Sequence, residues 1–356
     1  MKLSEIEKAL FVVNLSIVQH NIRRMIQKAE RHNLLFRPHV KTHQSKEVAA
    51  IMKAEGIHKI TVSSMDMCLN FIDMGFQDIC IAIPFNLNEI HRLNSIPETI
   101  KIQICLDSHE VFNALDISLT RQVYFYIKTD AGYGRSGLPT NRSSDFNQLI
   151  QAAQSSKHLN FYGLLVHNGQ MYHAKNIIEI HQLHNESLKQ LIDLAAKLTD
   201  NVFLSIGDTP AISITENFKG IHEIRPGNFV YYDLMQEHLG VCKPEEIAVR
   251  LFAPVIGKYP ERNELVVHAG AVHLSKEAII INEKNCYGQV VAIHTKKGRK
   301  MLPERLNIIR LSQEHGIIYA DAQMQSHINY GDFLEIIPVH SCLTANLMLT
   351  NTFYTK

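Results

Sequence analysis

The first two thirds of the chain alternate between short apolar runs and longer stretches of helical period, and this alternation limits the possible folds most strongly. The apolar runs are rich in β-branched residues, which favours strands, and the segment 178–197 has the spacing of an amphipathic helix. Eight strands are predicted, at 33–41, 58–64, 78–84, 101–107, 122–130, 160–167, 201–207 and 222–230. A doubly wound open sheet fits the same alternation, but the count of eight favours a (β/α)8 barrel.

Beyond about residue 240 the long helical patterns stop, and short strand-like runs separated by turn residues follow. These runs lie at 246–256, 264–268, 287–293, 306–310, 316–320 and 333–338. We therefore expect an α/β chain of two domains. A barrel over residues 8–235 precedes a smaller, mainly antiparallel β domain over residues 236–356, which residues 1–7 join.

The composition excludes several classes of protein. Hydrophobic residues make up 46% of the 356 residues, and 36 basic residues nearly balance 35 acidic ones, so no basic excess indicates a nucleic-acid partner. The N-terminal residues lack the apolar run of a signal peptide, and no segment has the length of a membrane span. Six scattered cysteines without a CxxC pair are expected to be reduced thiols, and a cytoplasmic protein is expected.

A first candidate for catalysis lies in the segment Phe36-Arg37-Pro38-His39-Val40-Lys41-Thr42-His43, at the end of the first predicted strand. Alternate residues of a strand share a face, so Arg37, His39 and Lys41 are expected to lie together. Neighbouring cations favour a neutral lysine amine, which is the form that attacks an aldehyde. The same residues also fit a strand end that emerges into solvent with ordinary surface charges.

Glycine-rich and polar segments follow several later barrel strands, where barrel enzymes carry their active sites. Arg135 lies in the loop after the fifth strand, where an arginine can bind an oxyanion or phenolate, although an ordinary loop also fits. Thr209 opens a short helix after the seventh strand, and Arg225, Gly227 and Asn228 lie along the eighth. Helix starts near strands seven and eight often bind phosphate, so these residues fit one phosphate group.

A candidate metal pair lies near the end of the chain, at His340 and Cys342. In an extended segment these two residues share a face, and an imidazole with a thiolate suits zinc. Only two protein ligands are visible, so water or substrate must complete the shell. Such a pair also occurs by chance without a metal.

The motif Arg37-Pro38-His39-Val40-Lys41-Thr42-His43 closely resembles that of the D-serine dehydratase and D-threonine aldolase family. These are fold type III pyridoxal phosphate enzymes related to alanine racemase, and they have a barrel and a terminal β domain in the same order as predicted here. The resemblance covers nearly the whole chain. It implies a small D-amino acid substrate and a homodimer.

The resemblance also implies roles for individual residues. Lys41 is expected to be the Schiff-base lysine and the base that removes the α-proton, and Arg135 is expected to face the phenolic oxygen of the cofactor. Phosphate or other cofactor contacts are expected from Tyr172, Thr209, Gly227 and Asn228. Arg225 resembles the arginine of the racemases that faces the pyridine nitrogen. His340 and Cys342 match the metal pair of the dehydratases, in which zinc is usual, whereas aldolases have aspartate at the second position.

The implied activity is a β-elimination that converts D-serine to pyruvate and ammonia. Alternatives within the family are retro-aldol cleavage of D-threonine or another 3-hydroxy-D-amino acid, and dehydration of 3-hydroxyaspartate. A non-catalytic pyridoxal phosphate carrier on the same barrel is an alternative of another class, but carriers lack the terminal β domain. Two segments depart from the family, because Gly169-Gln170 replaces a glycine-histidine pair and the segment 268–273 has no assigned counterpart.

Overall fold

The structure is a computed structural model that describes residues 6–198 and 202–356. Most of the expected N-terminal segment 1–7 and the first residue of the strand predicted at 201–207 lie outside the described residues. Within the described chain, one compact unit comprises Ile22–Phe229, and the other comprises the residues up to Asn21 together with Val230–Lys356. Strands and helices are numbered along the chain, which starts with β1 (Leu10–Asn14) and α1 (Leu15–Arg31).

The unit Ile22–Phe229 is a parallel barrel. Its eight strands are β2 (Leu35–Phe36), β3 (Lys59–Val62), β4 (Asp78–Pro84), β5 (Lys101–Leu106), β6 (Val123–Asp130), β8 (Leu159–His167), β9 (Leu204–Gly207) and β10 (Glu223–Ile224), and the short β7 (Leu138–Pro139) pairs with β6. β2 pairs with β10, and a bridge between His39 and Thr61 closes the ring between β2 and β3. The expected (β/α)8 barrel is therefore confirmed.

Helices follow the barrel strands. They are α2 (Lys46–Ala54), α3 (Met65–Asp73), α4 (Ile90–Asn94), α5 (His109–Ser118), α6 (Ser143–Ser155), α7 (Ile177–Ala195) and α8 (Pro210–Ile214). Four of them begin at a serine or asparagine whose side chain accepts a hydrogen bond from the N–H group three residues later. Such caps satisfy an otherwise unpaired donor and fix where each helix begins.

The second unit is mainly antiparallel. Its further elements are α9 (Leu234–His238), β11 (Val249–Tyr259), β12 (Glu264–His268), α10 (Ala271–Leu274), β13 (Ile279–Ile281), β14 (Lys284–Cys286), β15 (Gly288–Thr295), β16 (Gly298–Leu311), β17 (His315–Tyr319), α11 (Ala322–Ser326), β18 (Phe333–Pro338), α12 (Ser341–Leu347) and β19 (Thr352–Thr355). The order β12-β17-β16-β15-β18-β11 closes on itself because β11 also pairs with β12. The expected terminal β domain is thus a closed antiparallel barrel.

The N-terminal boundary between the two units lies between Asn21 and Ile22, whereas we expected it between residues 7 and 8. β1 pairs with β11 and runs parallel to β19, so it extends the sheet of the second unit. The apolar positions Phe11 and Val13 are fully buried there. No helix in the described parts of the chain combines the length and hydropathy that crossing a membrane requires.

Candidate active site

Lys41 lies in a single 3-10 turn, Val40–Thr42, directly after the bridge that closes the barrel. The first predicted strand is therefore much shorter than 33–41, and it ends at Phe36. The ring of His39 caps the turn by accepting a hydrogen bond from the backbone N–H of Lys41, at 3.3 Å. Both flanks of the segment are fixed, because His39 N–H donates to Pro226 O and Thr61 N–H donates to Pro38 O, each at 2.9 Å.

Basic side chains surround His39. Burial lowers the pKa of His39 well below its usual value, and Lys41, Arg225, His167 and Arg135 lower it further. His39 is therefore a neutral ring among basic neighbours. The expected grouping of Lys41, Arg135 and Arg225 is present, and a cluster of this kind suits an anionic ligand.

Arg37 does not share this cluster, although strand alternation predicted that it would. Its guanidinium is fully buried, where Nε donates to Glu223 at 2.7 Å and Nη1 donates to Asp78 at 2.6 Å. Because the chain leaves β2 for a turn, the alternation of faces does not extend from Arg37 to Lys41.

The loop that carries Arg135 is organised by one carboxylate. Asp130 accepts hydrogen bonds from the N–H groups of Gly132, Tyr133 and Gly134 at 2.9–3.1 Å. Gly132 and Gly134 have φ of +106° and +72°, a backbone conformation that glycine adopts readily. The Arg135 guanidinium lies 5.2 Å from the ring centroid of Tyr133.

Gly169 and Gln170, which stand where the family has a glycine-histidine pair, contact the loop that carries Arg135. A Cβ at Gly169 would lie 2.3 Å from the ring of Tyr133, so this glycine is required for the ring to pack where it does. Tyr133 also meets His167 edge to face, with ring centroids 5.7 Å apart. The position of Tyr133 therefore depends on the glycine of this pair, while the Gln170 amide donates to Ala131 O in the same loop, at 3.4 Å.

Four residues expected to contact the cofactor are joined by hydrogen bonds. The Thr209 hydroxyl accepts from the N–H groups of Gly227 and Asn228 at 3.3 and 3.0 Å, and Thr209 N–H donates to the Tyr172 hydroxyl at 3.2 Å. A Cβ at Gly227 would lie 3.1 Å from His39, so this cluster abuts the turn that carries Lys41. The structure thus brings Tyr172, Thr209, Gly227 and Asn228 together beside Lys41.

The first turn of α8 is less open than an anion site at a helix start requires. Ala211 N–H donates to the Asp208 carboxylate at 2.7 Å, and Ile212 N–H also hydrogen-bonds it. Burial raises the pKa of Asp208 to about 7 despite these bonds. The N–H groups at this helix start are therefore partly satisfied by a carboxylate of the protein itself.

Arg225 is buried and held by two groups. Its Nε donates to the Ser205 hydroxyl and its Nη2 donates to Val166 O, at 2.7 and 2.6 Å. Gly207 lies beside the guanidinium, since a Cβ there would be 3.1 Å from Nη1. His167 Nδ1 donates to Gly207 O at 2.7 Å, which connects this arginine to the His39 cluster.

Two further candidate residues, His167 and Lys128, were not predicted, because neither residue type forms a recognisable motif with its neighbours in the sequence. Burial lowers the pKa of His167 well below its usual value, and Arg135 and Lys41 add to the effect. Burial also lowers the pKa of Lys128 to about 8, with Arg225 and Arg135 contributing. Lys128 occupies β6 two residues before Asp130, and a lone lysine in an apolar strand was the only available signal.

The second unit brings His340 and Cys342 together. His340 is the extended residue before α12 and Cys342 lies in the first turn of that helix, so the two residues meet at a helix start and not along an extended segment as predicted. The His340 ring hydrogen-bonds Cys342, and its Nδ1 meets Glu277 Oε2 at 2.5 Å. Burial alone lowers the pKa of His340, but Cys342 and Glu277 raise it to about 11.

Glu277 and Asp233 were not predicted, because they lie 63 and 107 residues from His340 along the chain. Asp233 accepts hydrogen bonds from the N–H and hydroxyl of Ser341 at 2.9 and 3.2 Å, which fixes the start of α12. Glu277 holds one ring nitrogen of His340, and metal-binding histidines are commonly oriented in this way by a carboxylate.

Comparison with known proteins places this architecture in a class. The alanine racemase N-terminal domain family matches residues 13–234, and the putative serine dehydratase domain family matches residues 248–353. These two matches define the class as barrel enzymes of the alanine racemase fold with a terminal β domain. The chain belongs to the D-serine dehydratase and D-threonine aldolase family of fold type III pyridoxal phosphate enzymes.

Relatives with known activities match over nearly their whole length. The chain is 30% identical to the D-serine dehydratase of Dictyostelium discoideum, covering 93% of this chain and 89% of the relative. It is 28% identical to the D-threo-3-hydroxyaspartate dehydratase of Delftia sp. (strain HT23), covering 94% and 90%. The solved structure of the Delftia enzyme superposes with a TM-score of 0.83 over 97% of this chain and 93% of that chain, at 24% identity, which shows the shared fold.

Proposed function

We propose that this chain is a pyridoxal-phosphate- and zinc-dependent D-serine dehydratase, a carbon–nitrogen lyase that forms pyruvate and ammonia by β-elimination. The observation that carries the proposal is the His340–Cys342 pair, whose imidazole and thiol hydrogen-bond each other while Glu277 holds the remaining ring nitrogen. Within the family, a cysteine at this position resembles the dehydratases and an aspartate resembles the aldolases.

The residues around Lys41 fit pyridoxal phosphate. Basic groups converge on His39, and the cofactor carries both a phosphate and a phenolic oxygen that such groups stabilise. A Cβ at Gly207 or Gly227 would lie 3.1 Å from its nearest neighbour, so the backbone approaches its neighbours closely on this side of the barrel. Lys41 would hold the cofactor covalently, with Arg135 at the phenolic oxygen and Arg225 at the pyridine nitrogen. Its phosphate would contact Tyr172, Thr209, Gly227 and Asn228.

The donor set at His340 and Cys342 fits zinc. A nitrogen and a sulfur donor suit this ion. Glu277 holds Nδ1 of His340, so Nε2 is the ring nitrogen that would bind the metal. Water and the substrate hydroxyl would complete the shell.

When bound, the cofactor supplies an electron sink and zinc supplies a Lewis acid for the leaving hydroxyl. In this account the chain itself moves the proton, because Lys41 Nζ accepts it from Cα of D-serine. His39 and His167 are held neutral by burial and basic neighbours, so they do not add positive charge to this region. Elimination requires a base on one face only, whereas racemisation requires a second base on the opposite face.

A second candidate is dehydration of D-threo-3-hydroxyaspartate, which the Delftia relative favours at 28% identity over 94% of this chain. The reaction is the same elimination, but the substrate carries a second carboxylate. A cation is then required for that group, and Lys128 is a candidate, because Arg135 and Arg225 are assigned to the cofactor and Lys128 lies in the same cluster around His167.

Product analysis tests the proposal. The purified enzyme would be incubated separately with D-serine, D-threonine and D-threo-3-hydroxyaspartate, each with and without a zinc chelator. We expect pyruvate and ammonia from D-serine, and we expect the chelator to remove this activity. Oxaloacetate formed at a much higher kcat/KM from the hydroxyaspartate would favour the second candidate. Glycine and acetaldehyde from D-threonine as the main products would overturn the assignment.

The proposal includes a cytoplasmic homodimer. All six cysteines are buried free thiols, which suits a reducing compartment. The homodimer follows from the family resemblance, and light scattering of the purified enzyme during gel filtration would test it.

A further inference from the structure

Three side chains that the proposed reaction does not use meet in the second unit. His268 ends β12, His273 lies within α10, and Glu314 lies in the turn between β16 and β17. One ligand atom from each lies within 4.8 Å of the other two. His268 Nε2 is 3.3 Å from a Glu314 carboxylate oxygen, and the two imidazole rings are 5.5 Å apart and nearly perpendicular.

Backbone contacts hold the three segments in place. His268 pairs with His315 in the β12–β17 ladder, directly beside the turn. The N–H groups of Ala271 and Val272 donate to Ser312 O and Gln313 O at 2.8 and 3.2 Å, which fastens α10 to the same turn. The position of the three side chains therefore does not depend on a flexible loop.

Gly270 is required for this arrangement. A Cβ at Gly270 would lie 2.3 Å from Gln313 O, so any other residue would push α10 away from the turn. The segment 268–273, which the family resemblance left unassigned, thus has a structural reason for its glycine. It also brings two histidines, five residues apart, against one glutamate.

His273 is available as a ligand. Its Nδ1 is buried and has no hydrogen-bond partner within residues 6–198 and 202–356. Burial lowers the pKa of His273, and the nearby His268 lowers it further, while Glu314 opposes the shift. A neutral imidazole has a free electron pair, which metal coordination requires.

We propose that His268, His273 and Glu314 form a second binding site for a divalent transition metal, with zinc as the ion it suits best. Two imidazoles and one carboxylate are a known zinc donor set, and water would take the fourth position. Magnesium and calcium prefer shells made of oxygen alone. The site is separate from His340 and Cys342 in its residues, and it does not depend on the proposed function.

An ion at this site would connect α10 to the β16–β17 turn. Leu274, at the end of α10, lies three residues before Glu277, the carboxylate that holds His340. α10 also packs on α12, the helix that begins directly after His340. This connection would add to the backbone hydrogen bonds that already fasten α10 to the turn.

Cobalt titration tests the site. The holoenzyme would be stripped with a chelator and titrated with Co²⁺, with bound metal measured by equilibrium dialysis and elemental analysis. We expect the wild type to bind one more equivalent than His273→Ala, and we expect Glu314→Gln to weaken this equivalent by about tenfold or more. His315→Ala is the matched control, because this exposed histidine lies next to Glu314 and should keep the equivalent.

The absorption spectrum of bound Co²⁺ distinguishes this site from the His340–Cys342 pair. A cobalt–thiolate charge-transfer band can come only from a site with a cysteine, so the additional equivalent should lack it and should persist in Cys342→Ser. Equal stoichiometry and equal affinity for Co²⁺ in the wild type, His273→Ala and Glu314→Gln would overturn the proposal. Glutamine has the same shape as glutamate, and Glu314 lies on a turn, so Glu314→Gln should fold. This variant therefore still tests the site if His273→Ala fails to fold.

Discussion

Arg37 and Lys41 lie four residues apart and have different environments. Arg37 is fully buried between two carboxylates, whereas Lys41 lies partly exposed on a 3-10 turn capped by His39. The residue types alone predicted both as active-site cations. Only the long-range partners, Glu223 and Asp78, explain why Arg37 stabilises the barrel instead.

Replacement of Lys41 tests its role as the base. We expect Lys41→Ala to lower kcat for D-serine by about 10³-fold, because the chain then lacks the group that accepts the α-proton. A small primary amine in the buffer should restore part of the rate, which a purely structural role would not allow. Steady-state pyruvate formation measures both effects, with the exposed Lys46→Ala as the control. Unchanged turnover in Lys41→Ala would contradict the assignment.

Asp208 should make the stability of the protein depend on pH. Its pKa is raised from 3.8 to about 7, so the folded state binds more protons than the unfolded state between these values. The free energy of unfolding should therefore fall as pH rises from about 4 to 7 and then level off, by an amount on the order of a few kcal/mol.

Asp208→Asn should flatten this part of the profile, since an amide does not titrate. Urea unfolding of the cofactor-free protein at several pH values measures the slope, with the exposed Asp193→Asn as the control. Parallel profiles for the wild type and Asp208→Asn would show that Asp208 does not titrate in this range.

Individual elements were predicted with unequal success, for identifiable reasons. The strands at 78–84 and 333–338 have the predicted bounds, because apolar runs there end at turn residues. The strand predicted at 222–230 covers only Glu223–Ile224, since the N–H groups of Gly227 and Asn228 donate to the Thr209 hydroxyl and Asn228–Val230 form a 3-10 turn. β19 was missed, because its pairing partner β1 lies at the other end of the chain.

One carboxylate connects four strands of the second unit. Glu335 on β18 accepts from His294 on β15 at 2.7 Å and from Arg299 on β16 at 2.8 Å, and it lies 3.4 Å from Arg250 on β11. Burial alone raises the pKa of Glu335, but these partners lower it to about 2. Its stabilising effect is therefore present above its usual pKa of 4.5 and is lost as pH falls toward 2.

Glu335→Gln should lower the free energy of unfolding by about 1–3 kcal/mol at pH 7, because the half-buried Arg250 loses its nearest carboxylate. Urea unfolding followed by circular dichroism measures this change. Glu304→Gln, on the exposed part of β16, is the control and should change stability little. A similar stability for the two variants would contradict the role of Glu335.

At the scale of the whole molecule, the barrel contains a polar network that the sequence pattern did not indicate. Glu223 accepts hydrogen bonds from Arg37, Tyr126 and Ser205, and Ser205 in turn accepts from Arg225. These residues come from strands around the ring, so their side chains meet inside it. The fold class could be predicted from periodicity, and one motif indicated Lys41 as the candidate lysine, but this network depends on contacts between distant strands.

Glu223→Gln should be strongly destabilising, by about 3–5 kcal/mol, because the fully buried Arg37 loses a charged partner. It should also disturb Arg225 through Ser205, and so weaken retention of the cofactor. Thermal unfolding and the cofactor content of the purified protein measure the two effects. A variant with wild-type stability would show that Asp78 alone is sufficient for Arg37.

In the proposed reaction Lys41 would break the Cα–H bond, and the His340–Cys342 pair would assist departure of the hydroxyl. The most direct measurement is proton NMR of D-serine in deuterated water with the chelator-treated enzyme, before and after addition of zinc. We expect exchange of the α-proton without pyruvate in the chelated enzyme, and pyruvate once zinc is restored. Pyruvate formation at the full rate in the chelated enzyme, or in Cys342→Ser, would contradict it.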